Sequence, residues 1–266
     1  MTERRVACFP ANRALEARLR GALDNLSTLE PFAEVAPLLD AIRVGRVSMT
    51  IVIVDAATFD VTENALRRLH NSFPAHALVA YYNPLGLTPR HFLTLAQTGI
   101  TDLVQLDVDD RKHVFGKILE SAERTKHAQI LNERLESDIP PALRSVFLFA
   151  LEQAGKSMDV PQLAAALGVN QRTLTWRMRE QQLPSPRIFL TWCRLLVAAL
   201  LLDERGRTLD SVAAQLDFPG GHSLGAVFFR YMDCGITKLR EESVLEAVIA
   251  GFRAAIVEVS ESTPAI

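Results

Sequence analysis

The sequence predicts two folded parts, an α/β domain built on a five-stranded parallel sheet and an all-α domain after it. Three observations carry this reading. Over roughly the first 125 residues, apolar β-branched runs alternate with segments of helical periodicity, the pattern of a parallel sheet with helices on both faces. From Ala142 onward every apolar pattern is helical. Between them Asp138-Ile139-Pro140-Pro141 interrupts the pattern, because proline lacks an amide proton and clashes with the preceding turn. With 266 residues, 48% of them hydrophobic and 23% charged, the chain can fill two cores, which excludes a disordered or collagen-like class.

The α/β elements follow in order. Arg5-Val6-Ala7-Cys8-Phe9 reads as a strand ended by Pro10, and Ala14, Leu15, Leu19, Ala22 and Leu23 recur at helical spacing. A weak strand near Ser27–Glu30 precedes a helix around Glu34–Arg43. Met49-Thr50-Ile51-Val52-Ile53-Val54 is the clearest strand, almost continuously apolar as a strand covered on both faces should be, and it ends at Asp55. A helix near Thr62–Asn71, a strand His76–Tyr81, a helix Pro89–Gln97 and a strand Thr101–Leu106 come next. The helix Arg111–Leu135 places Val114, Ile118, Leu119, Ala122, Ile130, Leu131 and Leu135 at helical spacing, but its second half is polar. A domain over 1–125 is therefore expected, followed by a helical linker over 126–141 that serves as a dimer seam or simply packs.

Size, element order and the place of Asp55 resemble the flavodoxin-like receiver domain of bacterial response regulators. In that family an aspartate at the end of the third strand accepts a phosphoryl group. Acids after the first strand, a Ser/Thr after the fourth and a lysine after the fifth assist it. Here those places hold Phe9-Pro10-Ala11-Asn12, Tyr81-Tyr82 and Leu106-Asp107. Mg²⁺ requires several hard oxygen ligands, and one aspartate is a poor site. Without the metal and the lysine, the charge on a transferring phosphoryl group is not offset. Asp55 is accordingly expected to be phosphoacceptor-like but inactive, a cap on its strand-to-helix turn, in a domain used for dimerisation or signal sensing.

In the second half, Ala142–Ala154 is amphipathic and stops at Gly155. Asp159-Val160-Pro161-Gln162 combines an acid cap, an early proline and a Gln three residues on, a capping-box start. Leu163, Ala164 and Leu167 form a buried face, Gly168 suits a left-handed turn, Val169 plugs the corner, and Asn170 caps the next helix. That helix, Gln171–Gln182, buries Leu174 and Met178 and exposes Arg172, Thr173, Trp176, Arg177 and Arg179, a helix-turn-helix pattern. After Pro184-Ser185-Pro186 comes a long apolar helix, Ile188–Leu202, and then the plan repeats. Thr208 caps a short helix with Leu209, Val212, Ala213 and Leu216 inward, Phe218 fills the turn, and a last helix runs from Gly221 to Met232.

Leu163-Ala164, Gly168-Val169, Leu174, Ser185-Pro186, Phe189-Leu190, Arg194-Leu195, Ala198, Leu201-Leu202, Val212-Ala213, Phe218, Phe228, Arg230 and Arg240 resemble, in register, the DNA-binding domain of AraC/XylS transcription regulators. The resemblance covers residues 158–240 of an expected domain over 142–240. It implies seven helices, with two helix-turn-helix units joined by the 188–202 linker helix. It also implies recognition helices meeting successive major grooves on one face of the duplex. Trp176 and Ala226 stand where the family usually has arginine, and Asp233 and Ile236 replace its common Gly and Pro. Gly225 and Ala226 cannot reach a base edge, so specific readout is expected from the first unit. The DNA-binding residues expected are Asn170, Gln171, Arg172, Thr173, Trp176, Arg177 and Arg179, with Arg230 and Lys238 on phosphates. Half-buried packing is the competing role for Trp176, and a structural salt bridge is expected of Arg194.

Charge is unevenly spread. Residues 140–240 carry 12 basic and 8 acidic side chains, a balance of +4, whereas 1–139 balance at −2 and 241–266 at −4. A basic middle suits nucleic acid, but +4 is weak, which keeps open an adaptor in which the helix-turn-helix domain binds protein. Gly221-His222-Ser223-Leu224-Gly225 matches the hydrolase nucleophile elbow, yet no strand precedes it and no histidine follows His222, so no enzyme is expected. Cys8, Cys193 and Cys234 lie far apart, without CxxC spacing, and no metal or cofactor is expected. No secretory signal is read at Thr2–Arg5, and Phe189–Leu202 is too short and too charged to span a bilayer, so the expected setting is cytoplasmic. Expected partners are double-stranded DNA, a second copy bound through the first domain or the linker helix, and RNA polymerase. An extra amphipathic helix from Glu241, with Val244, Leu245, Val248, Ile249, Phe252 and Ile256 on one stripe, must bury itself on its own domain or on a second copy. Ser260–Ile266 is expected to fray.

Overall fold

The computed structural model describes residues 4–23, 27–44, 46–73, 76–204, 207–241 and 243–262. The chain divides into two compact domains with the boundary between Lys126 and His127.

In the first domain β1 (Arg4–Phe9), α1 (Arg13–Ala22), β2 (Ser27–Pro31), α2 (Val35–Arg43), β3 (Met49–Val54), α3 (Phe59–Ser72), β4 (Ala77–Tyr82), α4 (Pro89–Ala96) and β5 (Asp102–Gln105) alternate as expected. α5 (Lys112–Leu135) continues across the boundary. The sheet order is β2-β1-β3-β4-β5, all neighbours parallel, which is the flavodoxin-like arrangement with its switch point between β1 and β3. β3 is buried along its whole length because its alternate side chains serve two cores. Met49, Ile51 and Ile53 join Val6, Cys8, Leu19, Tyr81, Phe115 and Leu119 on the α1/α5 face. Val52 and Val54 join Ala7, Phe9, Leu38, Leu66, Leu69 and Leu95 on the α2/α3/α4 face. α3 starts at Phe59, a turn earlier than its polar first residues suggest, because the buried Phe59 anchors that turn and stacks on His91.

The second domain is helical. A 3-10 turn (Pro141–Leu143) leads into α6 (Arg144–Glu152), then α7 (Val160–Ala166), α8 (Gln171–Glu180), α9 (Pro186–Leu202), α10 (Leu209–Gln215), α11 (Gly221–Met232), α12 (Ile236–Leu239) and α13 (Val244–Ser262). α9 begins at Pro186, where a proline's missing amide costs nothing in the first turn. It is the axle of the domain, with most of its side chains in the core. Phe147, Phe189, Trp192 and Phe252 cluster with ring centroids 5.8–6.3 Å apart. Phe252 belongs to α13, so the carboxy-terminal helix spends its apolar stripe on its own domain. Asp203, capping α9, accepts hydrogen bonds from the amides of Val244 (3.0 Å) and Leu245 (3.1 Å) at the start of α13. Ala128, Leu131, Leu135 and Ile139, from the stretch read as a linker, are buried in this same core. α13 extends to Ser262, and 263–266 lie outside the described residues. Among the described residues no helix is long and apolar enough to cross a membrane.

Candidate nucleic-acid interface

α7 and α8 form the first of two similar motifs. Asp159 accepts the Gln162 amide at 2.8 Å while the Gln162 side chain takes the Asp159 amide at 3.0 Å, a closed capping box. The turn passes through Gly168 at φ 65°, and the Val169 amide donates to the Ala164 carbonyl at 3.0 Å. Asn170 then accepts the Thr173 amide at 2.8 Å and starts α8. In the second motif Thr208 accepts the Ser211 amide, Asp217 takes the left-handed turn at φ 54°, and the Phe218 amide donates to Ala213 at 2.9 Å. The turn of the second motif holds one residue more. Beyond it, buried Leu174 and Met178 of α8 correspond to buried Leu224 and Phe228 of α11.

That register fixes the outward face of each helix. On α8 it is Arg172, Trp176, Arg179 and Glu180, with Thr173 at one flank; Asn170 and Gln171 are exposed at its start. Trp176 is 56% exposed. Among the described residues the side chains of Arg172, Arg177 and Arg179 make no hydrogen bond or ion pair. Arg177, one turn after Thr173, lies on the same flank and lines a surface pocket with Ala142, Leu143, Glu180 and Gln181. On α11 the corresponding face is His222, Ala226, Phe229 and Arg230, with Ser223 at the flank. Of these the sequence assigns a DNA contact only to Arg230, and it denies Ala226 a base edge. The repeat of the buried spacing is the signal that finds the others. Lys238, on α12, is exposed.

Several expectations are corrected by the packing. Arg194 forms no salt bridge among the described residues; its Nη2 donates to the Leu216 carbonyl at 2.6 Å and its guanidinium lies 3.9 Å from the centre of the Phe218 ring. A cation at the carbonyl end of α10 is favoured by the helix dipole, so the residue is structural by another route. The glycines of α11 are packing devices as well as weak helix formers. The Gly221 amide donates to the Asp210 carboxylate at 2.9 Å, and a Cβ there would overlap that carboxylate. A Cβ on Gly225 would come within 3.3 Å of Leu209. Ser223 sits in the first turn of α11 after a helix and a turn, so the strand-turn-helix of a nucleophile elbow is not formed.

In the first domain, Asp55 Oδ1 accepts the amides of Ala57 and Thr58, each at 2.9 Å, and so closes the β3–α3 turn. Asn12 caps α1 through the Leu15 amide. The acids after β5 are engaged locally. Asp109 accepts the Gln105 amide at 2.9 Å, and Asp110 accepts the Tyr81 hydroxyl at 2.7 Å and is paired with Arg18.

A family model described as a helix-turn-helix domain matches residues 163–242, which span both motifs. Over this segment the chain is similar to that helix-turn-helix family. The segment stands beside an α/β domain with receiver-like sheet order. Among solved structures the chain is similar to full-length FixJ from B. japonicum at 14% identity, covering 86% of this chain and 98% of that one. The TM-score of 0.34 makes this likeness too distant to bear on fold or function. No curated protein matches the chain.

Proposed function

We propose that the protein is a sequence-specific duplex-DNA-binding transcription regulator whose base readout is led by α8. The observation that carries this is the state of that helix. It is capped by Asn170, held from behind by Leu174 and Met178, and presents arginine side chains that no group among the described residues pairs. Elsewhere many arginines are paired, as Arg18, Arg43, Arg67, Arg134 and Arg253 are. An unpaired guanidinium on a major-groove helix is suited to guanine O6 and N7, worth about 1–3 kcal/mol of discrimination. Fluorescence polarisation on a duplex selected from a random pool tests it. Arg172→Ala with Arg177→Ala should abolish preference for that duplex over a scrambled one and lower the slope of log affinity against log salt. Unchanged preference overturns the assignment to α8.

The first domain, in this proposal, serves dimerisation or signal sensing without phosphorylation. Asp55 holding its own turn supports this, as do the exposed Leu93 of α4 and Leu103 of the edge strand β5. Uptake of label at Asp55 from a small phosphoryl donor overturns the first part, and a monomer in sedimentation the second. A protein-binding adaptor is the second reading, favoured by Phe229, 58% exposed on α11. No enrichment of any duplex at low salt selects it.

A further inference from the structure

The two recognition helices share one register and carry opposite chemistry. Positions filled on α8 by Arg172, Trp176 and Arg179 are filled on α11 by His222, Ala226 and Phe229. Phe229 is next to the buried Phe228, yet its own ring points out from the side of α11 that the core does not cover. Ala226, at the centre of that face, keeps the helix surface low, and Arg230 beside it is exposed. At the places of Arg172 and Arg179 this face has no guanidinium, and its one arginine, Arg230, stands where α8 has Glu180. The face has what suits the one apolar feature of the major groove, the C5 methyl of thymine, which alanine and phenylalanine contact without a hydrogen bond.

Resting on the DNA-binding reading above, we infer that α11 is a thymine-methyl reader. Phe229 contacts the methyl groups of a T-containing box across the low surface that Ala226 leaves, and Arg230 holds the adjacent phosphate. The domain's target is then unlike in its two halves, with guanine contacts opposite α8 and methyl contacts opposite α11. One helix-turn-helix family model, matching residues 163–242, spans α8 and α11 together, and on the DNA-binding reading above this makes the major groove, and not a protein, the occupant argued for the outer face of α11.

The test uses the full chain and a duplex selected by it from a random pool, with each thymine replaced in turn by deoxyuridine, which lacks only the methyl. Burying one methyl corresponds to about fourfold in affinity. Deoxyuridine at one or two positions of one box should therefore weaken binding about fourfold each. Phe229→Ala should weaken binding to the thymine duplex and remove its distinction from the deoxyuridine duplex in that box, whereas Trp176→Ala should leave that distinction intact. Because Phe229 is exposed, its loss should not unfold the domain, and a thermal melt checks this. Sequence-specific binding with no deoxyuridine effect, or an effect that survives Phe229→Ala, overturns the inference while sparing the DNA-binding reading. Failure to select any duplex overturns both, and a protein ligand that competes at Phe229 while duplex binding is unaffected assigns the face to the adaptor role.

Discussion

His76 shows what one side chain contributes and how that contribution depends on pH. Its Nε2 lies 2.9 Å from the hydroxyl of Thr50, a fully buried residue of β3. Burial, and after it the charge of Lys126, pushes its pKa down to about 4. An unfolded histidine titrates near 6.5. The unfolded chain therefore takes up this proton first as pH falls, and the fold loses stability between about 6.5 and 4; above 6.5 the contribution is fully present. His76→Gln keeps a polar partner for Thr50 and removes the titration. The difference in unfolding free energy between wild type and His76→Gln should shrink steadily from pH 7 to pH 4 in urea titrations, and a constant difference refutes the assignment. Asp55 illustrates the same scale in another way. Its place after a strand is readable from sequence, but its hydrogen bonds to Ala57 and Thr58 are what make it a turn former.

Among the elements, the α10–α11 pair departs furthest from what residue propensities suggest. Glycine inside a helix costs roughly 0.5–1 kcal/mol relative to alanine, so Gly221→Ala should on propensity alone stabilise α11. Here the added methyl would displace the Asp210 carboxylate from the Gly221 amide. We expect Gly221→Ala to destabilise the second domain by about 1 kcal/mol, the worth of one such hydrogen bond. Combined with Asp210→Ala it should cost little more than either change alone, because both remove the same bond. Stabilisation by Gly221→Ala in a denaturant titration would refute this account. Capping residues behave in the opposite way. Asp159, Asn170 and Thr208 are legible in the sequence because a cap is a local interaction three residues long, and each makes the expected bond.

At the scale of the molecule, α13 decides how the second domain is built. Its Phe252 is fully buried among Phe147, Phe189 and Trp192, and Arg253 forms a forked pair with Asp138 at 3.0–3.1 Å. Replacing a buried phenylalanine by alanine costs about 3–5 kcal/mol. Phe252→Ala should lower the unfolding free energy of the second domain by that amount, read in urea as an earlier transition, and leave the transition of the first domain in place. A common shift of both transitions would mean that the two domains unfold together.

The sequence by itself determined the alternation of strands and helices, the caps and turns of both motifs and the family resemblance of the second half, because all of these are written in spacings of a few residues. It also puts Phe9-Pro10-Ala11-Asn12, Tyr81-Tyr82 and Leu106-Asp107 where the resembled receiver family has the partners of its phosphoacceptor. Only the tertiary structure decided that Arg194 bonds a helix end, that Gly221 makes room for a carboxylate and that α13 covers its own domain. It alone showed that Phe229 faces outward. Each of these depends on which surfaces meet across long stretches of chain, and an apolar residue carries the same pattern in a sequence whether its partner is a core, a second copy or a base.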